Sequence, residues 1–226
     1  MADGLRDRLG YEFRDPALLR EALTHRSFGV PNNERLEFVG DAVLNCAVAL
    51  MLFEQFPATQ EGELSRARAN LVNRDTLAQL GRQIGLGTHI RLGEGEIKSG
   101  GADRASIIAD ALEAVLGAVF LDGGFTAARR VIDRIYAELL RSADPTTLGK
   151  DPKTRLQEWL QARRHPVPEY VVVATSGEAH QQLFEVDCRI PALSLITHGS
   201  GPSRRAAEQE AAAVALTRVL AGASHG

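Results

Sequence analysis

Five carboxylates fall in two short runs. Glu34, Glu37 and Asp41 lie in ERLEFVGD, and Asp110 and Glu113 lie in ASIIADALEAVLGAVFL. At about 100° per residue, the first three share one helix face within a sector of roughly 60°. The second two are three apart and share a face of another helix. An acidic stripe is by default solvated surface. The surroundings here argue otherwise: residues 42–53 are apolar except for Asn45, and residues 105–121 carry no other charge. Helices of that composition are expected to be buried, and carboxylates on them need a cation or a metal. If the two runs face each other, they form an all-oxygen donor set of the kind Mg²⁺ prefers. The lack of His or Cys at ligand spacing argues against zinc and against a di-iron centre. Such a set suits phosphodiester hydrolysis, where a metal polarises the phosphoryl oxygen, activates water and offsets charge on the leaving oxygen. Gly40 sits among these acids. A glycine inside a helix costs roughly 1 kcal/mol relative to alanine, so a second backbone is expected to pass close to it.

The elements that must position these acids read as helices. Residues 16–23 form one, with Asp15 as N-cap and Pro16 at the first position. Residues 33–56 form a long, largely buried helix that Pro57 ends. Residues 63–81, 105–121 and 126–140 form three more. With no period-two alternation, residues 1–141 are expected to be an all-α domain. The polar run SADPTTLGKD, residues 142–151, reads as an exposed linker. Beyond it the pattern changes. Residues 152–162 read as a helix, 170–174 and 183–190 as strands, 193–198 as a weaker third strand, and 202–220 as an alanine-rich helix. That order predicts a small α+β module, α-β-β-β-α, over residues 152–222, with both helices on one sheet face.

Whole-chain charge does not point to a nucleic acid. The net charge is −3; residues 1–150 hold 18 basic and 21 acidic residues, and the remainder holds 8 of each. Cys46 and Cys188 lie far apart and are expected to be reduced. No uninterrupted apolar run reaches the roughly 18 residues that span a bilayer, and the first ten residues lack the apolar core of a secretory signal. The expected location is the cytoplasm.

Three local features of the second module fit duplex RNA, which proteins read by shape, 2′-hydroxyls and phosphates over about 16 base pairs. Thr154, Gln157 and Glu158 share a helix face and suit a minor groove, or are simply solvated. His180, in GEAH between two strands, suits the next minor groove, or is a plain hairpin turn. Ser203, Arg204 and Arg205 start the last helix, where N–H groups, helix dipole and guanidinium groups suit phosphates, although an Arg pair is also ordinary surface charge.

The motifs resemble a known family. ERLEFVGDAVL (34–44) is similar to the signature of the ribonuclease III family, SIIADALEAVLGAVFLD (106–122) to its second acidic motif, and LTHRS (23–27) to its opening motif. The second module is similar to the family's double-stranded RNA-binding domain. The resemblance implies an endonuclease that cuts duplex RNA with Mg²⁺, for which Mn²⁺ substitutes, and uses no small-molecule cofactor. It implies Glu37, Asp110 and Glu113 as metal ligands and Asp41 as the carboxylate that orients water at the metal. It implies Glu34 as an acid lining the same valley and Glu61 as an acid near the dimer interface. It further implies a homodimer with no membrane partner, whose two centres leave 5′-phosphate and 3′-hydroxyl ends with short 3′ overhangs on ribosomal RNA precursors and structured mRNAs. Phe38 and Val39 are then either interface contacts or core. His25 is either a general base or, preferentially, a contact fixing a helix end. Where the family often has a further basic residue after the Arg pair, this chain has Ala206, so salt-sensitive and weaker duplex binding is expected. The alternatives are a non-catalytic RNA-binding scaffold, which intact acids at all five positions oppose, and a small-nucleotide phosphohydrolase, which the missing Gly-rich phosphate loop opposes.

Overall fold

A computed structural model describes residues 3–141, 151–177 and 182–223. The chain divides into two compact units between Gly149 and Lys150. The first comprises α1 (Asp3–Leu9), α2 (Pro16–Ala22), α3 (Glu34–Gln55), α4 (Glu61–Leu71), α5 (Arg74–Gln83), α6 (Glu94–Lys98) and α7 (Ala105–Arg141), with two short 3₁₀ turns before and after α6. It is all-α among its described residues apart from one isolated bridge between Thr24 and Arg91.

The helix starts follow from local chemistry. Asp15 caps α2, its carboxylate accepting from Ala17 N, and Pro16 takes the first helical position. The single helix expected over 63–81 is two. Asn73 stands between them in an extended conformation and its side chain accepts from Thr76 N, starting α5 afresh. The helices expected over 105–121 and 126–140 join instead as α7, kinked at Gly124, whose φ of 77° is open to glycine. The short α1 and α6 carried no periodic signal long enough to read.

At the centre α3 crosses α7. Its buried residues, Leu36, Val43, Leu44, Ala47, Val48, Met51 and Leu52, pack on the α7 row Leu112, Val115, Leu116 and Val119. The expectation that α3 is buried all round is corrected. Phe38 (81% exposed), Ala42, Cys46, Leu50 and Phe53 (68% exposed) form a bare stripe, while Val39 packs on the core. By length and composition alone α3 is also apolar enough to cross a membrane, with a mean hydropathy of 1.8, although Asp41 and Asn45 interrupt its apolar run; 44% of that stretch is buried in the fold.

The second unit comprises α8 (Pro152–Ala162), β1 (Glu169–Ser176), β2 (Leu183–Ile190), β3 (Leu195–Gly201) and α9 (Arg204–Ala223). The strands form an antiparallel sheet in the order β1-β2-β3. Asp151 caps α8 and so belongs to this unit rather than to the linker. The third strand begins later than expected because Pro191–Leu193 is a 3₁₀ turn and Ser194 is left-handed. Cys188 and Ile190 of β2 meet Leu156 and Leu160 of α8 and Ala211, Ala212 and Ala215 of α9 in one core, which places both helices on the same sheet face. The rest of the expected linker, residues 142–150, lies outside the described residues.

Candidate metal centre and nucleic-acid interface

The acidic runs meet because two glycines let the α3 and α7 backbones touch. A Cβ on Gly40 would run into the carbonyl of Glu113, and a Cβ on Gly117 into the carbonyl of Leu36. Any larger residue at either position would push the helices apart. Glu37 stands one turn before Gly40, and Glu113 one turn before Gly117. The contact therefore sets one carboxylate of α3 against two of α7. Glu37, Asp110 and Glu113 each offer an oxygen within 4.8 Å of the others, at half-buried positions.

Their electrostatics are repulsive. Burial pushes Glu113 up to about 8, and Asp41, Glu37 and Asp110 add to the rise. Burial also raises Glu37, with Asp110 and Glu34 reinforcing it, and raises Asp110 against the pull of His25, Arg26 and Arg74. Three like-charged groups this close are stable together only if protons or a cation neutralise them. A hard divalent cation fits: the donors are all carboxylate oxygens, and half-burial leaves an open side for substrate.

The remaining sequence candidates separate. Asp41 is exposed at the rim beside Glu113, and its Oδ1 accepts from Asn45 Nδ2 at 2.9 Å. Glu34 is outside the trio and pairs with Arg26 at 3.5 Å. It lines, with Glu37, Asp110, His25, Arg26 and Arg104, a polar cavity of about 530 Å³. Glu61 lies elsewhere. It accepts from Ser65 and lines an apolar cavity of about 400 Å³ with Cys46, Leu50 and Phe53, at the bare stripe of α3. His25 Nδ1 contacts Ser27 Oγ at 2.8 Å and accepts from Ser27 N, and His25 N donates to Arg91 O. It fixes the turn after α2, as preferred from sequence. The cations around the acids, Arg26, Arg74 and Arg104, were missed: isolated arginines 30 to 78 residues apart carry no spacing signal. Both cysteines are free, Cys46 exposed and Cys188 buried.

In the second unit Thr154, Gln157 and Glu158 are exposed on the α8 face opposite Leu156 and Leu160. Ser203 caps α9, its Oγ accepting from Ala206 N, and Arg204 and Arg205 are exposed in the first turn. The helix thus starts at Arg204 rather than Pro202. His180 lies outside the described residues.

An α-helical unit with a carboxylate trio, followed by an α-β-β-β-α module with a basic helix start, defines the class as a two-module nuclease acting on RNA duplexes. Residues 15–139 match the Ribonuclease-III-like family, and residues 152–219 match the double-stranded RNA binding motif. The chain is 57% identical over 217 residues to Ribonuclease 3 of Aromatoleum aromaticum, covering 96% of each. It is 59% identical over 208 residues to Ribonuclease 3 of Thiobacillus denitrificans, covering 92% of each. The nuclease domain of ribonuclease III from Campylobacter jejuni superimposes with a TM-score of 0.60 at 43% identity, over 61% of this chain and 97% of that one. The chain belongs to the ribonuclease III family and is an endoribonuclease of double-stranded RNA. The non-catalytic scaffold alternative loses its support.

Proposed function

We propose that the protein hydrolyses duplex RNA in a Mg²⁺-dependent reaction at the Glu37–Asp110–Glu113 centre. The observation that carries this is the trio itself: three half-buried carboxylates whose oxygens lie within 4.8 Å of one another. Bound there, Mg²⁺ or Mn²⁺ supplies Lewis-acid polarisation of the phosphoryl oxygen and a water of lowered pKa. The three acids hold the cation in place. Asp41, fixed by Asn45, orients the attacking water from the rim. Arg26 and Arg74, close enough to act on Asp110, offset phosphodiester charge near the centre. Glu34 lines the valley beside Arg26. Water oxygen bonds to phosphorus and gives up a proton to solvent, the bond from phosphorus to the 3′ oxygen breaks, and that oxygen takes up a proton from solvent. The products carry 5′-phosphate and 3′-hydroxyl ends.

The working form is a homodimer, in which two centres cut opposite strands and leave short 3′ overhangs. The bare α3 stripe supports this, since Phe38, Leu50 and Phe53 are costly to leave in water. Glu61, which lines the cavity beside the stripe, contributes at the interface and to substrate handling. Thr154, Gln157, Glu158 and His180 approach minor grooves, and Ser203, Arg204 and Arg205 grip phosphates between them. Ribosomal RNA precursors and structured mRNAs in the cytoplasm are the proposed substrates, with no membrane partner and no small-molecule cofactor.

A labelled duplex incubated with the protein tests the reading. Short duplexes with 5′-phosphate ends in Mg²⁺, none in EDTA, and none with Glu113→Gln are expected. Undiminished cleavage in EDTA, or by Glu113→Gln, would remove the metal assignment.

A further inference from the structure

Glu208, in the second turn of α9, is 9% exposed and carries a cation on each oxygen. Lys153 Nζ meets Oε2 at 2.6 Å, and Arg204 Nε meets Oε1 at 2.8 Å. Lys153 lies in the first turn of α8, and Arg204 begins α9. One carboxylate therefore ties together the starts of two helices some fifty residues apart in the chain. Gln209 adds to the tie: its Oε1 accepts from Lys153 N at 3.2 Å, and its side chain hydrogen-bonds Asp151, the cap of α8. Lys153 is held from a third side by the Tyr170 ring, 4.3 Å below Nζ. Burial alone would raise the Glu208 carboxyl, but Lys153 and Arg204 bring it below the usual range, so it is ionised at neutral pH.

The same bond disciplines Arg204. Glu208 takes Nε, which leaves both Nη amines outside that bond, on a side chain that stays 64% exposed. A guanidinium anchored at one edge loses less freedom when its other edge meets an anion. The helix starts that Glu208 links are those carrying Thr154 on one side and Ser203, Arg204 and Arg205 on the other.

We propose that Glu208 is a positioning residue for duplex recognition, fixing the distance between the α8 and α9 starts and presenting Arg204 to phosphate. This rests on the reading that both helix starts meet the duplex. The proposal has a sign that simple electrostatics does not share. As a bare negative charge near the RNA face, Glu208 would repel phosphate, and neutralising it would tighten binding. As a positioning residue, its neutralisation loosens binding. A glutamine can accept from only one of the two cations and turns an N–H towards the other.

The test is a double-mutant cycle on the full chain, reading affinity for a duplex of about 20 base pairs without divalent cation, so that nothing is cut. Glu208→Gln is expected to weaken binding about three- to tenfold, and to cause a clearly smaller further loss in an Arg204→Ala background, where only the tie to Lys153 is left to break. Affinity equal to or tighter than wild type overturns the proposal. So does an undiminished penalty in the Arg204→Ala background, because a general structural role would not depend on Arg204. If Arg204→Ala itself leaves affinity unchanged, the reading of the α9 start fails, and the proposal fails with it. Should Glu208→Gln melt below the assay temperature, Glu208→Asp, which keeps the charge but shortens its reach, runs the same cycle with the same expectation.

Discussion

The two units hold acidic residues in opposite ways. In the nuclease unit, the α3–α7 crossing presses Glu37, Asp110 and Glu113 together with Asp41 nearby, and burial and three neighbouring acids all push the Glu113 carboxyl up. In the RNA-binding unit, the buried acids are matched. Glu208 has Lys153 and Arg204, and Asp187 has Arg189 at 3.3 Å and the ring of His198, which is a cation only when protonated. Burial penalises a carboxylate in both places. Where cations sit on its oxygens, the acid becomes a strut; where arginines act from the side on Glu37 and Asp110 while burial and three acids press on Glu113, the site is built for a cation from solution. The contrast explains why neither half needs an unusual composition to bind its ligand.

Removing one member of the unmatched set is the largest test of this contrast. Glu37→Gln, Asp110→Asn and Glu113→Gln are each expected to lower duplex cleavage by at least about two orders of magnitude, with duplex affinity retained. Glu34→Gln, outside the trio and paired with Arg26, is expected to cost less than about tenfold. Equal losses for Glu34 and Glu113 in initial-rate assays would erase the distinction between trio and valley wall.

Next comes the contact that forces the acids together. Gly40→Ala gains up to about 1 kcal/mol of helix propensity, but its methyl group meets the Glu113 carbonyl, so a net destabilisation of about 1–3 kcal/mol is expected from urea unfolding. A more stable Gly40→Ala protein would mean that the helices do not touch there.

A smaller effect separates the units by pH. The Glu113 carboxyl is raised from an ordinary 4.5 to about 8 in the fold. Its protonated form is therefore favoured in the folded state, and its contribution is present below about 4.5 and lost as pH rises towards 8. Glu113→Gln without metal is expected to be more stable than wild type at pH 8. After allowance for solvent screening at this half-open site, the gap is about 1–2 kcal/mol, shrinking towards pH 4.5. Glu208 has the opposite sign: its depressed carboxyl contributes above about pH 4.5 and less as pH falls. Melting curves across pH, read separately for each unit, check both directions.

The smallest effect is on salt dependence. Arg205→Ala is expected to weaken duplex binding a few-fold and to lower the slope of log affinity against log salt by somewhat less than 1, one phosphate contact's share. An unchanged slope would place Arg205 off the phosphate backbone.

Much of this is legible in the sequence. Two acids alone in the apolar run 105–121, and a glycine among the acids of α3, predicted a buried centre and a close backbone, and the Gly40–Glu113 contact is that backbone. The order α-β-β-β-α was legible because alternation changes period beyond residue 151. What escaped has physical causes. The break at Asn73 is made by a side-chain cap within an otherwise helical pattern. The bare stripe of α3 has the same residue types as its buried face, so composition could not tell core from exposed surface. The Lys153–Glu208–Arg204 tie joins residues some fifty positions apart, and only the packing of α8 on α9 brings them together.

The central claim, that the trio is a cation site, is most directly tested by melting the metal-free protein against increasing Mg²⁺ at pH 8, wild type beside Glu113→Gln. Because a ligand that binds only the folded state stabilises it in proportion to its occupancy, the nuclease unit of the wild type is expected to melt progressively higher. The variant's transition and the RNA-binding unit should shift far less. A wild-type transition indifferent to Mg²⁺, or a variant that shifts as far, would contradict the account.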